Sequence, residues 1–269
     1  MNLYVCGGLG DCLIYCQIYH IYKSNFNYNY VFNIEFIKKY KSNYLEYTKF
    51  VENIYNTFNV PLNIVNELPL GINIEPKELL IEYPLNEKLT LSNLISSPII
   101  NDLPVKYIVI NLNIRIVNND IIINKKNILN MISKLCDILN NTNFTIPIVI
   151  VGHRKTFKTF NIINFSFYNR LKINKFIDKT YDNLMEVDID RLFYDINILK
   201  NSEETFQFGF GGSLCLNIFF SKKLSAICNP ENEFIQEYFT NIFFENNNNI
   251  QIFKNRINLL ERLNNIITK

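Results

Sequence analysis

Apolar and polar residues change their spacing repeatedly along the chain, and each change marks an element. Asn2–Val5 is a short apolar run that reads as a strand, and Asp11–Tyr22 follows with helical spacing. Tyr28–Ile34 alternates apolar and polar like a half-buried strand. Tyr44–Phe58 returns to a helical period, with Leu45, Phe50, Val51, Ile54 and Phe58 on one face. Pro61–Val65 and Leu79–Tyr83 are further strand candidates, and Leu89–Ile95 reads as a short helix or turn. Strands that alternate with helices in this way predict a parallel α/β sheet.

Ser96–Pro104 interrupts the pattern with Ser-Ser-Pro and Asn-Asp-Leu-Pro and reads as a linker. A second α/β series begins directly after it. Tyr107–Leu112 is a β-branched run of the buried-strand type, and Lys125–Leu139 places Ile128, Met131, Ile132, Leu135 and Leu139 on one helical face. Ile146–Val151 is the next strand and ends at Gly152-His153-Arg154. Asp190–Lys200 reads as a helix, Thr205–Phe208 as a strand, Leu214–Phe220 as a helix and Leu224–Cys228 as a strand. An amphipathic helix over Ile257–Ile267 ends the series. The pattern predicts two Rossmann-like domains, residues 1–103 and 104–269, facing a cleft.

Glycine placement sharpens this picture. The chain has eight glycines. Three lie at Gly7, Gly8 and Gly10 between the first strand and helix, and three at Gly209, Gly211 and Gly212 before Ser213 and Leu214. A glycine-rich strand-to-helix connection lets a ligand approach bare backbone. The helix start behind it offers unpaired N–H groups and partial positive charge. The first turn lacks the third glycine of a dinucleotide fingerprint, and no phosphate-binding loop ending in Gly-Lys-Ser/Thr occurs. Asp11 is the reactive group at the first turn, either as a general base or simply as a helix N-cap. The amides of Gly211, Gly212, Ser213 and Leu214 form the expected diphosphate cradle. Arg115, Lys125, His153 and Arg154 are the cations placed to assist it.

Composition narrows the classes. The 27 Lys and Arg residues nearly balance 25 Asp and Glu, and they are dispersed, so nucleic acid is disfavoured as a partner. Six cysteines without a C-x-x-C pair and two distant histidines give no zinc-site spacing. No leader-like segment and no apolar run of about 18 residues is visible, so a cytoplasmic protein without a transmembrane segment is expected. The weight of Asn, Ile, Tyr, Phe and Lys reflects an AT-rich genome.

Gly-Gly-Leu-Gly-Asp after the first strand resembles the N-terminal signature of the heptosyltransferase-like glycosyltransferases, glycosyltransferase family nine, which have the GT-B fold. Phe210–Lys223 aligns without gaps to that family's late Asp-Ser-Gly-x-x-His-Leu-Ala motif. Gly212 and Leu216 match, while Phe210, Gly211 and Cys215 stand in place of the aspartate, the serine and the histidine. The resemblance implies metal-independent transfer of a sugar from a nucleotide-diphosphate sugar, with no cofactor. Asp11 would deprotonate the acceptor hydroxyl of a glycan, glycolipid or other acceptor, and the second glycine cluster would grip the donor phosphates. Three alternatives stand beside it: a nucleotide-sugar epimerase or hydrolase of the same fold, a degenerate nucleotide- or sugar-binding protein, and an α/β interaction module in which Asp11 only caps a helix.

Overall fold

A computed structural model describes residues 2–5, 9–22, 27–31, 44–65, 91–96, 101–111, 115–116, 123–152, 161–162, 168–181, 189–208, 213–227, 249–253 and 256–269. The first half contributes β1 (Asn2–Val5), α1 (Leu9–Tyr22), β2 (Asn27–Val31), α2 (Tyr44–Thr57), β3 (Leu62–Val65) and the short α3 (Leu91–Leu94). Its strands form a three-stranded parallel sheet in the order β1-β2-β3. The expected strand at 79–83 lies outside the described residues.

The second half contributes β4 (Ile108–Asn111), β5 (Arg115–Ile116), α4 (Ile123–Asn141), β6 (Ile148–Val151), β7 (Asn161–Ile162) and β8 (Ile177–Asp178). It continues with α5 (Ile189–Asn201), β9 (Glu204–Gln207), α6 (Ser213–Phe220), β10 (Leu224–Ile227), β11 (Ile250–Phe253) and α7 (Arg256–Ile267). Six of its strands form one parallel sheet in the order β11-β10-β9-β4-β6-β8. Numbered within this half, that order reads 6-5-4-1-2-3, the doubly wound Rossmann arrangement. The chain builds outward from β4 through β6 to β8, then crosses back to build β9, β10 and β11 on the other side. The crossing puts the topological switch between β4 and β9.

Alternate residues of each strand face opposite layers. Ile108, Ile110, Ile148, Ile150 and Phe206 pack beneath α4 and α7. Val109, Val149, Val151, Leu224 and Ala226 pack beneath α5 and α6. Both faces are covered, which is why these strands read as continuous apolar runs and not as alternating ones. β8 and β11 were not apparent from hydrophobic spacing. β8 is only two residues long, and β11 (Ile-Gln-Ile-Phe) follows an Asn-rich stretch that reads as a loop.

The second core layer runs on into the first half. α1 packs directly on α6, and α2 on α5. One apolar cluster joins Leu13, Tyr15, Ile54 and Phe58 to Leu199, Phe219 and Phe220, and the Phe58 and Phe220 rings stack at 6.2 Å. Both α1 and α6 are buried on most sides: Cys12–Ile18 and Leu214–Phe220 are unbroken buried runs. Helices that are apolar all round belong in such an interior position. Polar ties fix the segment between the halves. The Lys200 ammonium donates to the carbonyls of Ser92 and Ile95 at 2.5 Å each, and Asp102 pairs with Lys179.

Local chemistry sets the element ends. α2 stops because Asn59 adopts a left-handed conformation, φ 53°, while the Val60 amide donates to the Tyr55 carbonyl at 2.9 Å. Asparagine tolerates this conformation better than a branched residue does. Lys175 ends α4 by donating to the carbonyls of Leu139, Asn140 and Thr142 at 3.2, 2.7 and 2.8 Å.

One buried group works against stability. Among the described residues the buried Tyr55 hydroxyl has no hydrogen-bond partner, and burial together with nearby thiols and phenols raises its pKa well above the usual phenol value. Removing an unsatisfied buried hydroxyl removes its desolvation cost. Tyr55→Phe is therefore expected to stabilise the protein by about 1 kcal/mol, read as a higher midpoint in urea with an unchanged slope.

Candidate functional site

In open parallel sheets ligands bind outside the carboxyl ends of the strands, at the switch point. Here that point is framed by Asn111 at the end of β4 and Gln207 at the end of β9, which are register partners. α6 begins at Ser213, six residues after Gln207. β4 leads into β5, and β6 leads into β7. β5 and β7 pair antiparallel as a separate ribbon, with Arg115 opposite Ile162. Arg115 lies four residues beyond Asn111, so its backbone stays within roughly 14 Å of the β4 end.

The sequence-derived site residues fall into three groups. Gly10, Asp11, Ser213 and Leu214 lie at helix starts. Arg115 and Lys125 are described by their backbone: Arg115 in the β5 ribbon, and Lys125 in the first turn of α4, which begins two residues earlier at Ile123. Gly7, Gly8, His153, Arg154, Gly211 and Gly212 lie outside the described residues. Gly152 closes β6 with φ 107°, a conformation that costs glycine little and is unfavourable for residues with a Cβ.

Asp11 is not the N-cap of α1. The helix already includes Leu9 and Gly10, so Asp11 is its third residue. In that first turn a carboxylate faces the unpaired N–H groups and the positive end of the helix dipole. The residue is half-buried. His20 is structural as its helix position implies, with Nε2 2.5 Å from the Phe58 carbonyl oxygen. Glu204, one of two adjacent glutamates, is buried. It is 4% exposed at the opposite, N-terminal end of β9. There Arg262 of α7 donates to both of its oxygens at 3.2 and 2.8 Å, and Ser225 Oγ donates at 2.5 Å. This pair ties α7 to the sheet and is remote from the carboxyl ends of the strands.

A buried amide network, not apparent from the sequence, occupies the switch point. Asn111 Nδ2 donates to Asn217 Oδ1 at 3.3 Å, and Asn217 Nδ2 donates to Gln207 Oε1. The available signal was a polar residue at each of three positions where apolar ones surround it: Ile-Val-Ile-Asn111, Phe-Gln207-Phe and Leu-Asn217-Ile.

A second polar group lies at the β8 side of the same edge. Arg191 of α5 sits over the rings of Tyr181 and Tyr194 at 4.8 and 5.4 Å, and its guanidinium is 2.9 Å from Asp195. Asp195 is 8% exposed, and burial outweighs Arg191, pushing its carboxyl up to about 6. A folded-state value above the unfolded one, near 4, means the native form binds the proton more tightly. The contribution is thus complete below about pH 4 and is lost as pH rises through about 6. Asp195→Asn is expected to remove that dependence. The stability difference between wild type and variant should fall by roughly 2 kcal/mol from pH 4 to pH 7, measured by urea unfolding at both pH values.

Buried cysteines are ordinary core residues here. Cys12, Cys16, Cys136 and Cys215 are buried, and burial raises the Cys16 and Cys136 thiols, the latter to about 11. Among the described residues no helix is long and apolar enough to cross a membrane, and no group of three or more His, Cys, Asp or Glu gathers as metal ligands would. The chain matches no protein-family model, no curated protein and no solved structure.

Proposed function

We propose that this protein is a glycosyltransferase that moves a sugar from a nucleotide-diphosphate sugar to an acceptor hydroxyl. The observation that carries the reading is the 3-2-1-4-5-6 sheet with a glycine-rich connection and a helix start at its switch point. The diphosphate rests on the amides of Gly211, Gly212, Ser213 and Leu214, and one or more of Arg115, Lys125, His153 and Arg154 adds positive charge. Donors fixed in place before reaction stabilise the departing diphosphate without reorganising. The first half, in a GT-B-like arrangement, presents the acceptor. Asp11 takes the acceptor proton while the hydroxyl oxygen attacks the anomeric carbon. The direct packing of α1 on α6 supports a joint role for the two glycine-preceded helices.

Incubation with labelled nucleotide sugars and a hydroxyl acceptor tests the reaction. Release of nucleoside diphosphate that depends on the acceptor supports transfer. Sugar isomerisation or hydrolysis without an acceptor identifies an epimerase or a hydrolase and contradicts transfer. A second reading, nucleotide binding without turnover, is favoured by one observation. Cys215, 7% exposed inside α6, holds the position where the family resemblance implies a histidine. It is distinguished by binding of a nucleoside diphosphate with no turnover of any donor.

A further inference from the structure

The amides of Asn111, Gln207 and Asn217 are 3%, 0% and 0% exposed. Each buried hydrogen bond contributes only about 1 kcal/mol net, and replacing hydrogen-bonded partners together by apolar groups of similar shape is nearly neutral or stabilising. Apolar residues at the three positions would extend the core already formed by Val109, Leu214 and Ile218. Stability alone therefore does not account for the network.

Such a network supplies a single geometry. Asn217 holds β4 through one end of its amide and β9 through the other. Moving α6 along its axis by one residue, about 1.5 Å, breaks both bonds, whereas an apolar contact would tolerate the slide. Asn217 is four residues past Ser213, so it sits one turn, about 6 Å, behind the start of α6, and a helical side chain leans back toward that start. The polar tie of Glu204, Ser225 and Arg262 lies at the other ends of β9 and β10, and buried Gln17 accepts from the Leu91 amide at 3.1 Å, away from the switch point. The Asn111–Asn217–Gln207 network is thus placed to set the helix start against the two strand ends that frame the ligand edge.

We propose that Asn111, Gln207 and Asn217 are positioning residues for diphosphate recognition. They hold the first turn of α6 in fixed register with the ends of β4 and β9, so that its unpaired N–H groups meet a diphosphate bound at the switch point. The inference rests on the nucleotide-sugar reading above.

The test compares dissociation constants and melting temperatures, using uridine, guanosine, adenosine and cytidine diphosphates as probes of the full chain. In the triple variant Asn111→Leu, Gln207→Leu, Asn217→Leu, the melting temperature is expected to stay at or above that of wild type while binding weakens at least tenfold. Asn217→Ser, too short to span both strands, keeps the test open if the triple variant does not fold, and the same tenfold loss is expected. Asn29→Ser is the control. Asn29 is also a buried amide with a cross-strand partner, Asn63 at 3.4 Å, but lies in β2. It is expected to keep the wild-type dissociation constant. If the variants at 111, 207 and 217 bind as wild type does, or if Asn29→Ser weakens binding equally, the positioning role is overturned. If wild type binds none of the four probes, the nucleotide-sugar reading falls and takes this inference with it.

Discussion

Asp11→Asn is expected to lower sugar transfer by about 10²–10⁴-fold, the range a positioned general base supplies. The dissociation constant for the nucleoside diphosphate should stay within about twofold of wild type, and the melting temperature should change little. The split follows from where the residue lies. Asp11 is in the first turn of α1, in the half assigned to the acceptor, whereas the diphosphate is assigned to the start of α6. Asparagine keeps the shape and one acceptor oxygen but cannot take a proton, so folding and donor binding survive while proton removal does not. Single-turnover rates with saturating donor, beside calorimetric binding, separate the two effects. Near-normal transfer by Asp11→Asn would remove Asp11 as the base. Equal loss of transfer and nucleotide binding would make it a donor-binding residue.

Arg262→Met is expected to destabilise the fold by about 3 kcal/mol, as removing one partner of a buried ion pair does. For a chain of this size that is a fall of roughly 10 °C in melting temperature. Methionine preserves much of the packing of the arginine stem but leaves Glu204, 4% exposed, without its two-pronged donor. Ser225 at 2.5 Å and Lys223 at 3.5 Å still face the carboxylate, which puts the effect at the lower end of the range. The double variant Glu204→Leu, Arg262→Leu should recover most of the loss, because replacing both members of a buried pair with apolar residues is often neutral. Urea unfolding of the single and double variants checks both statements. A single variant as stable as wild type would show that the pair contributes nothing.

Much of the fold was legible because the strongest signals were repeated. β-branched runs at Ile108–Asn111 and Ile148–Val151 are buried on both faces, and the helical period around Met131 and Leu135 matches α4. Strand order was not legible. No local pattern states that β9 returns to pair with β4, because that pairing is made by residues about 96 positions apart, as Ile108 and Glu204 are. Glycine clusters pointed to α1 and α6 but not to the packing of one helix on the other. Asp11 was placed at a turn because glycine suggests one, yet the helix admits Gly10 in its first turn. The burial of Glu204 was not legible, because a pair of adjacent glutamates looks like surface. In a strand, neighbours face opposite ways, and Arg262 receives the inward one. The amide network was not legible because three polar positions in separate apolar runs of an Asn-rich chain say nothing of one another until the fold brings them together.

Calorimetric titration of the wild-type chain with the four nucleoside diphosphates tests the central claim most directly. The account predicts saturable one-to-one binding of at least one of them, with a dissociation constant between about 1 μM and 1 mM, the range usual for enzyme substrates. It also predicts a matching rise in melting temperature at saturating ligand. Absence of heat and of any thermal shift with all four at about ten times the upper limit of that range would contradict it.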